Sequence, residues 1–457
     1  MATKNLTTNR NIFKALLVFS LPLILSNLIT QSYNLVDLII AGKVIGTDAL
    51  SATGVSSTFI QFLSSIFWGF GVALSTYTGE LYGEGNYKKL IKCIKTGILF
   101  ISIVMFVICG VCIIIAPQIM KWLKVDSLIL ESSTSYFRIF MISLFIQAIN
   151  YQITAYLHSV GNAKFPMAMT LVSGVGNVLL NLLFVMVFKL GVNGLAYATI
   201  ISNALSLVMG GLYSFKIIKE LGGKNNIEFD SNVLGYLSKL AVPCIFQQCA
   251  LYLSSIVVQP YINGMGKDYS GAFSIAMNVN LIFNAIFHSM SRATATYTSQ
   301  CKGAGLHDRY TKGILTGIAL QIILTAPLQI VTIIWPYQLF SIFVKDGQTQ
   351  CLDYAVTYAY TLIPFMWFYF VQNLLHSFYK SVEAMKTVVI TTIIFTLTRI
   401  LFTFILPENG KLSSVFWGLT IAYIVEAIIL SVLYFVGLWK SKEIKQYQLE
   451  HKKTKAE

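Results

Sequence analysis

Tyr33-Asn34-Leu35-Val36-Asp37-Leu38-Ile39-Ile40-Ala41-Gly42 closes an apolar run that begins at about Phe13. The run is long enough to cross a bilayer, which takes about 20 residues of helix. Asp37 lies inside it, several residues short of the polar end at Lys43. A carboxylate at a helix centre costs about 2.5–3.5 kcal/mol on insertion scales. Two readings are open. Asp37 is a helix-end aspartate solvated near headgroups, or it faces a water-filled cavity and binds a cation. Tyr33 and Asn34 precede it by four and three residues, on the same helical face, and could hydrogen-bond it in either protonation state.

The same apolar pattern recurs to the end of the chain. Of 457 residues, 56% are hydrophobic and 11% charged, and the mean hydropathy is +0.69. A soluble chain carries about 25% charged residues, so this is a polytopic, all-α membrane protein. The first run is too long for the core of a cleavable signal peptide. Seven cysteines suggest no disulfide framework, and Cys109-Gly-Val-Cys112 lies within an apolar span, where small buried thiols are expected.

Twelve runs reach spanning length: roughly 13–42, 52–77, 93–116, 134–160, 165–188, 191–215, 236–263, 270–299, 313–337, 354–379, 387–406 and 413–438. With both termini in the cytoplasm, 23 of the 33 Lys and Arg fall on the inner side and seven in outer loops. Arg138, Arg292 and Arg399 remain at membrane depth. This bias follows the positive-inside rule. The net charge of +14 therefore reads as topology and attraction to anionic lipid, with no nucleic-acid partner.

The chain repeats itself. Tyr77-Thr78-Gly79-Glu80-Leu81-Tyr82-Gly83-Glu84-Gly85 stands against Tyr297-Thr298-Ser299-Gln300-Cys301-Lys302-Gly303-Ala304-Gly305 at an offset of 220. Leu157-His158-Ser159 echoes Leu375-His376-Ser377 at 218, and Pro22 and Pro243 open the first span of each half. Copies separated by an even number of spans have parallel topology, which implies two six-helix lobes with a cleft between them. The expected division is an N-lobe of residues 1–215, a cytoplasmic linker of 216–235, a C-lobe of 236–440 and a basic tail of 441–457.

Taken together, Tyr33-Asn34-Leu35-Val36-Asp37 with Gly42 and Gly46, Gly83-Glu84-Gly85-Asn86, Gly161-Asn162-Ala163-Lys164-Phe165-Pro166-Met167 and Asn177 resemble the multidrug and toxic compound extrusion (MATE) family. The similarity is greatest to its DinF-type and MepA-like bacterial branches. The resemblance implies export of amphipathic, often cationic drugs in exchange for H+ or Na+ by alternating access, with no other cofactor. It implies a monomeric, multi-pass protein of the bacterial plasma membrane. In the DinF-type branch the coupling site uses an Asp in the first helix, an Asn and an Asp four apart in the fifth and a Thr in the sixth. Asp37, Asn177 and Thr199 match, whereas the second acid is Asn181 here. Asp37 would then carry coupling alone, although Asn181 can still offer a carbonyl oxygen to Na+. The NorM branch's acid in the seventh helix is absent; Gln247 and Gln248 stand there.

Glu426 is the acid at membrane depth in the second half. It reads as a second proton site or, more economically, as a partner of Arg399. The substrate cavity is expected to draw on Gln31, Gln147, Asn150, Tyr151, Tyr252, Gln259, Asn278 and Asn284, each of which could equally make an interhelical contact. Arg292 reads as a span-end anchor, and His158 and His376 as caps. His288 stands alone in its span, with no metal cluster indicated. The main alternative is a flippase for lipid-linked oligosaccharide, which would need a more cationic cavity. A membrane enzyme has no motif to support it: no His-Glu-x-x-His, Gly-x-Ser-x-Gly or phosphate loop occurs.

Overall fold

A computed structural model describes residues 6–8, 11–123, 125, 127–224, 226, 228–342, 349–406 and 412–440. The basic tail at 441–457 lies outside the described residues. The helices are α1 (Ile12–Ile39), α2 (Thr47–Glu84), α3 (Tyr87–Ile114), α4 (Ala116–Trp122), α5 (Leu130–Ser159), α6 (Lys164–Leu182), α7 (Gly191–Glu220) and α8 (Ser231–Gly264). They continue as α9 (Lys267–Gly303), α10 (Arg309–Ile334), α11 (Pro336–Ser341), α12 (Thr349–Thr361), α13 (Met366–Ser381), α14 (Met385–Ile405) and α15 (Ser413–Val436). Among the described residues, 11 helices are long and apolar enough to cross a membrane.

The exception is the tenth run, expected as one span over 354–379. It is α12, a 3-10 turn at Ile363–Phe365 and α13. Pro364 has no N–H for the helical ladder, and its ring crowds the preceding turn. One carbonyl at the break finds a side-chain donor: Gln329 Nε2 donates to Ile363 O at 3.1 Å, while the Thr420 hydroxyl stands 3.2 Å from Thr361 O and closer, at 2.9 Å, to Phe416 O of its own helix. A break inside a membrane survives where such donors replace the lost backbone bonds. Pro22, by contrast, stands in the interior of α1 and not at its start.

The chain divides into two compact units. One comprises Met1–Asn9 and Leu17–Tyr252, the other Arg10–Leu16 and Leu253–Glu457. Helix ends carry the repeat into three dimensions. Gly85 and Gly305 both take positive φ, 77° and 68°, at the ends of α2 and α9. Gly161 (79°) closes α5, and Glu383 (62°) holds the equivalent position after α13. That cap pairs Gly161 with Glu383 and Lys164 with Lys386. It therefore sets His158 against Lys380, so the His158–His376 echo is one helical turn out of register.

In the first unit, the linker is held to α3. Lys95 Nζ donates to Lys224 O (2.7 Å) and Asn226 Oδ1 (2.8 Å) and pairs with Glu228 at 3.3 Å. The lysine's hydrogen bond keeps the Glu228 carboxyl below its usual range.

Small residues set the closest helix approaches, as they do where backbones pack inside membranes. A Cβ at Gly418 of α15 would stand 2.8 Å from Thr403 N and 3.1 Å from Thr403 Cα of α14. One at Gly211 of α7 would meet nothing within 4 Å. Gly418→Ala is expected to cost about 1–3 kcal/mol through overpacking, and Gly211→Ala to be neutral or slightly stabilising. Thermal unfolding of the two variants in detergent checks this contrast.

Candidate functional site

The site lies where α1, α6 and α7 meet in the first unit. Both α1 and α6 give way to a π-helical turn beside it. The first, Ile40–Ile45, begins three residues after Asp37, and the second, Leu183–Val187, two residues after Asn181. Such turns widen the ladder and are frequent at functional sites. The apolar cluster of Ile40, Ala41, Tyr136, Val185, Val192, Leu195 and Ala196 packs beneath them. Gly174 of α6 brings α1 close, since a Cβ there would stand 2.9 Å from the Tyr33 ring.

A chain of hydrogen bonds runs through this junction. Thr199 Oγ donates its one proton to Leu195 O at 2.8 Å. It must therefore accept from its other neighbour, Asn177 Nδ2, at 3.2 Å. That orientation leaves Asn177 Oδ1 facing Asn181, whose Nδ2 donates to it at 3.0 Å. The same Asn181 Nδ2 donates to Asp37 Oδ1 at 2.5 Å. The amide orientations thus follow from a single hydroxyl proton, and the chain presents an N–H to the Asp37 carboxylate. Asn181 Oδ1 is buried with no hydrogen-bond partner. All four residues singled out on the first, fifth and sixth long helices, Asp37, Asn177, Asn181 and Thr199, meet here.

Other expectations change. Asn34 is exposed, and Tyr33 packs along Gly174. Among the described residues neither hydrogen-bonds Asp37, whose partner is Asn181. Three residues behind a carboxylate on a helix, a short amide is on a neighbouring face without having the reach.

The cavity candidates disperse. Gln147 donates to Ser143 Oγ at 3.3 Å and Asn150 to Asn203 O at 2.9 Å. Asn203, four residues beyond Thr199 on one face of α7, also binds Ser143 and Ser173 at 3.2 and 3.3 Å. The Asn150–Asn203 bond, from α5 to α7, is the interhelical contact held open as the alternative for Asn150, whereas Gln147–Ser143 lies within α5. Tyr151 packs on Phe67 and Tyr252 on Trp68. Gln259 donates to Asn263, and Asn284 accepts from Tyr369 OH at 3.1 Å. Gln31 and Asn278 are half-buried.

In the second unit, Glu426 is 1% exposed. Its Oε1 lies 2.6 Å from His376 Nε2, and its Oε2 accepts from Gln372 Nε2 at 2.7 Å. Gln372 and His376 stand four apart on one face of α13, a spacing visible in the sequence. Arg399 is not in this cluster. Its Nη1 donates to Ser254 Oγ (2.7 Å) and Ser255 Oγ (3.1 Å) of α8. The expected Glu426–Arg399 pair is therefore corrected to Glu426–His376, because α13 supplies partners to both carboxylate oxygens. Removing one member of a buried pair strands the other. His376→Leu is expected to cost about 3–5 kcal/mol, and the His376→Leu/Glu426→Leu double variant less than that single. Denaturation midpoints of both proteins decide it.

Similarity to known proteins follows the same outline. The MatE family model matches residues 22–183 and again 243–405, once in each half. The chain is 26% identical over 456 residues to the probable multidrug resistance protein YoeA of Bacillus subtilis, covering 95% of this chain and 96% of that protein. It is 21% identical over 274 residues to the multidrug export protein MepA of Staphylococcus saprophyticus, covering 59% of this chain and 60% of that one. Among solved structures, the Vibrio cholerae MATE transporter VcmN superposes with a TM-score of 0.87 at 16% identity, over 94% of this chain and 98% of that one. An outward-facing multidrug resistance MATE family transporter of the MOP superfamily gives 0.87 at 18% identity, over 96% and 99%. With the family model matched across both halves, this polytopic membrane protein belongs to the MatE family.

Proposed function

We propose that the chain is a secondary antiporter that exports amphipathic, drug-like compounds in exchange for H+ or Na+, with Asp37 as the group that takes up the ion. The observation carrying this reading is the Asp37–Asn181–Asn177–Thr199 chain, a lone carboxylate tied to three neutral groups on two other helices. No basic side chain neutralises Asp37 among the described residues, so its charge is free to change. Its likeness to the probable multidrug resistance protein YoeA and the multidrug export protein MepA supports drug-like compounds as the cargo.

The chemistry of loading follows from the amide of Asn181. When Asp37 is ionised, that N–H has its acceptor. Protonation creates an O–H donor instead, and Asn181 Oδ1, buried and unpartnered, is an acceptor on the same amide. Turning the amide to meet it breaks the bond to Asn177, so uptake on α1 is felt within α6. A sodium ion would draw on oxygens in the same place: the carboxylate and the Asn carbonyls. Either ion gains about 2.3 kcal/mol per charge per 100 mV on entering, enough for roughly a 50-fold gradient of a neutral compound. The reading places the protein in the bacterial plasma membrane as a monomer with both termini in the cytoplasm. Residues 1–215 and 236–440 act as its lobes, and the 216–235 segment links them.

Proteoliposomes loaded with a fluorescent drug test the reading. An imposed proton or sodium gradient is expected to drive efflux in the wild type. Asp37→Asn should abolish the gradient dependence. Thr199→Val, which keeps the Asp37–Asn181 bond, should retain coupled transport at a rate reduced by about tenfold or less. Coupled transport that persists in Asp37→Asn sinks the assignment.

A further inference from the structure

The two family-model matches bring the polar centres of the two units into register. Pro22 of α1 answers to Pro243 of α8, which sets Ser254 and Ser255 where Tyr33 and Asn34 stand, and Val258 where Asp37 stands. Lys164 of α6 answers to Lys386 of α14, which sets Arg399 at the place of Asn177. In the first unit this constellation holds a carboxylate among amides. In the second the carboxylate position is apolar, and a guanidinium sits among hydroxyls. The charge of the centre is inverted.

Arg399 is also short of partners. Its hydrogen bonds are those of Nη1 to Ser254 and Ser255, and among the described residues it forms no salt bridge. Nε and Nη2 make no hydrogen bond, and neither is among the buried polar atoms cut off from the surface. Glu426 does not answer the charge: its oxygens meet His376 and Gln372, and no salt bridge joins it to Arg399 among the described residues. Tyr423 of α15, which also neighbours Arg399, carries a phenol and no carboxylate. An arginine on a spanning helix is expensive unless paired or wet, and the planar fork of a guanidinium suits a carboxylate better than it suits two hydroxyls.

We infer that Arg399, with Ser254 and Ser255, forms an anion site that takes a carboxylate or a chloride ion. A carboxylate would arrive on an amphipathic compound, with its two oxygens on the open edge of the guanidinium. Chloride would come from solution and lie against the same N–H groups. Compounds bearing an acid group would then be recognised by the second unit through a fixed positive charge, independently of ion loading at Asp37.

The test is a binding measurement on the purified full-length protein, so it does not depend on transport or on Asp37. An amphipathic dye with one carboxylate is compared with its methyl ester by fluorescence anisotropy, in sodium isethionate. The wild type is expected to bind the acid at least about tenfold more tightly than the ester. Arg399→Gln should bring the two together, and Arg399→Lys should keep part of the preference. Replacing isethionate by chloride separates the sources. Competition with the acid dye, lost in Arg399→Gln, supports occupancy by chloride as well as carboxylate; no competition restricts the site to carboxylates. Equal affinity for acid and ester in the wild type without any chloride effect overturns the inference, as does a preference that survives in Arg399→Gln. If Arg399→Gln does not fold, the wild-type comparison still decides whether the preference exists, and Arg399→Lys, which loses the fork, must then weaken it at least about threefold.

Discussion

One hydrogen bond organises the first unit, from the Asn181 amide to the Asp37 carboxylate. A charge within a spanning helix is tolerated only if something replaces the water it has lost. Here the replacement is a relay of neutral dipoles reaching from α1 through α6 to a backbone carbonyl of α7. Had a lysine or arginine stood there, the carboxylate would be locked in one state. Amides and a hydroxyl stabilise the charge without cancelling it, which leaves the group able to change protonation or to share a cation. The surrounding architecture serves that compromise. Gly174 lets α1 approach, and the π-helical turns after Asp37 and Asn181 end the regular ladder beside the charge.

The second unit solves the problem of buried charge differently. Its acid is answered directly, by a histidine and a glutamine on one face of α13. Its arginine rests on two serine hydroxyls. The halves share helix order and helix caps, yet the ionisable groups have been redistributed between them. A repeat fixes where polar groups can be accommodated between helices. It does not fix which sign of charge occupies the place.

Much of this could be read from the chain. Apolar run length was enough for eleven of the twelve expected spans, because lipid leaves little else for the backbone to do. Asp37, Asn177, Asn181 and Thr199 were identifiable because two of them stand four apart on one helix and the pattern resembles a known family. What escaped was whatever depends on rotation between helices. Glu426 and Arg399 were matched by charge alone, and the sequence does not reveal that α13 turns His376 and Gln372 toward Glu426. The echo of His158 in His376 was a coincidence of letters that the helix caps place one turn apart. The break at Pro364 was masked by uninterrupted hydrophobicity, since composition reports burial and not the continuity of the ladder.

On the proposed function, Asp37 changes its ionic state inside the membrane. The most direct measurement is infrared difference spectroscopy of the protein in lipid, with aspartate carrying a carbon-13 label at its side-chain carboxyl. Acidification or addition of sodium is expected to convert an ionised carboxylate band into a protonated or cation-bound one, and the change should vanish in Asp37→Asn while other aspartate bands remain. A wild-type spectrum in which no Asp37-dependent band responds to either ion would contradict the account.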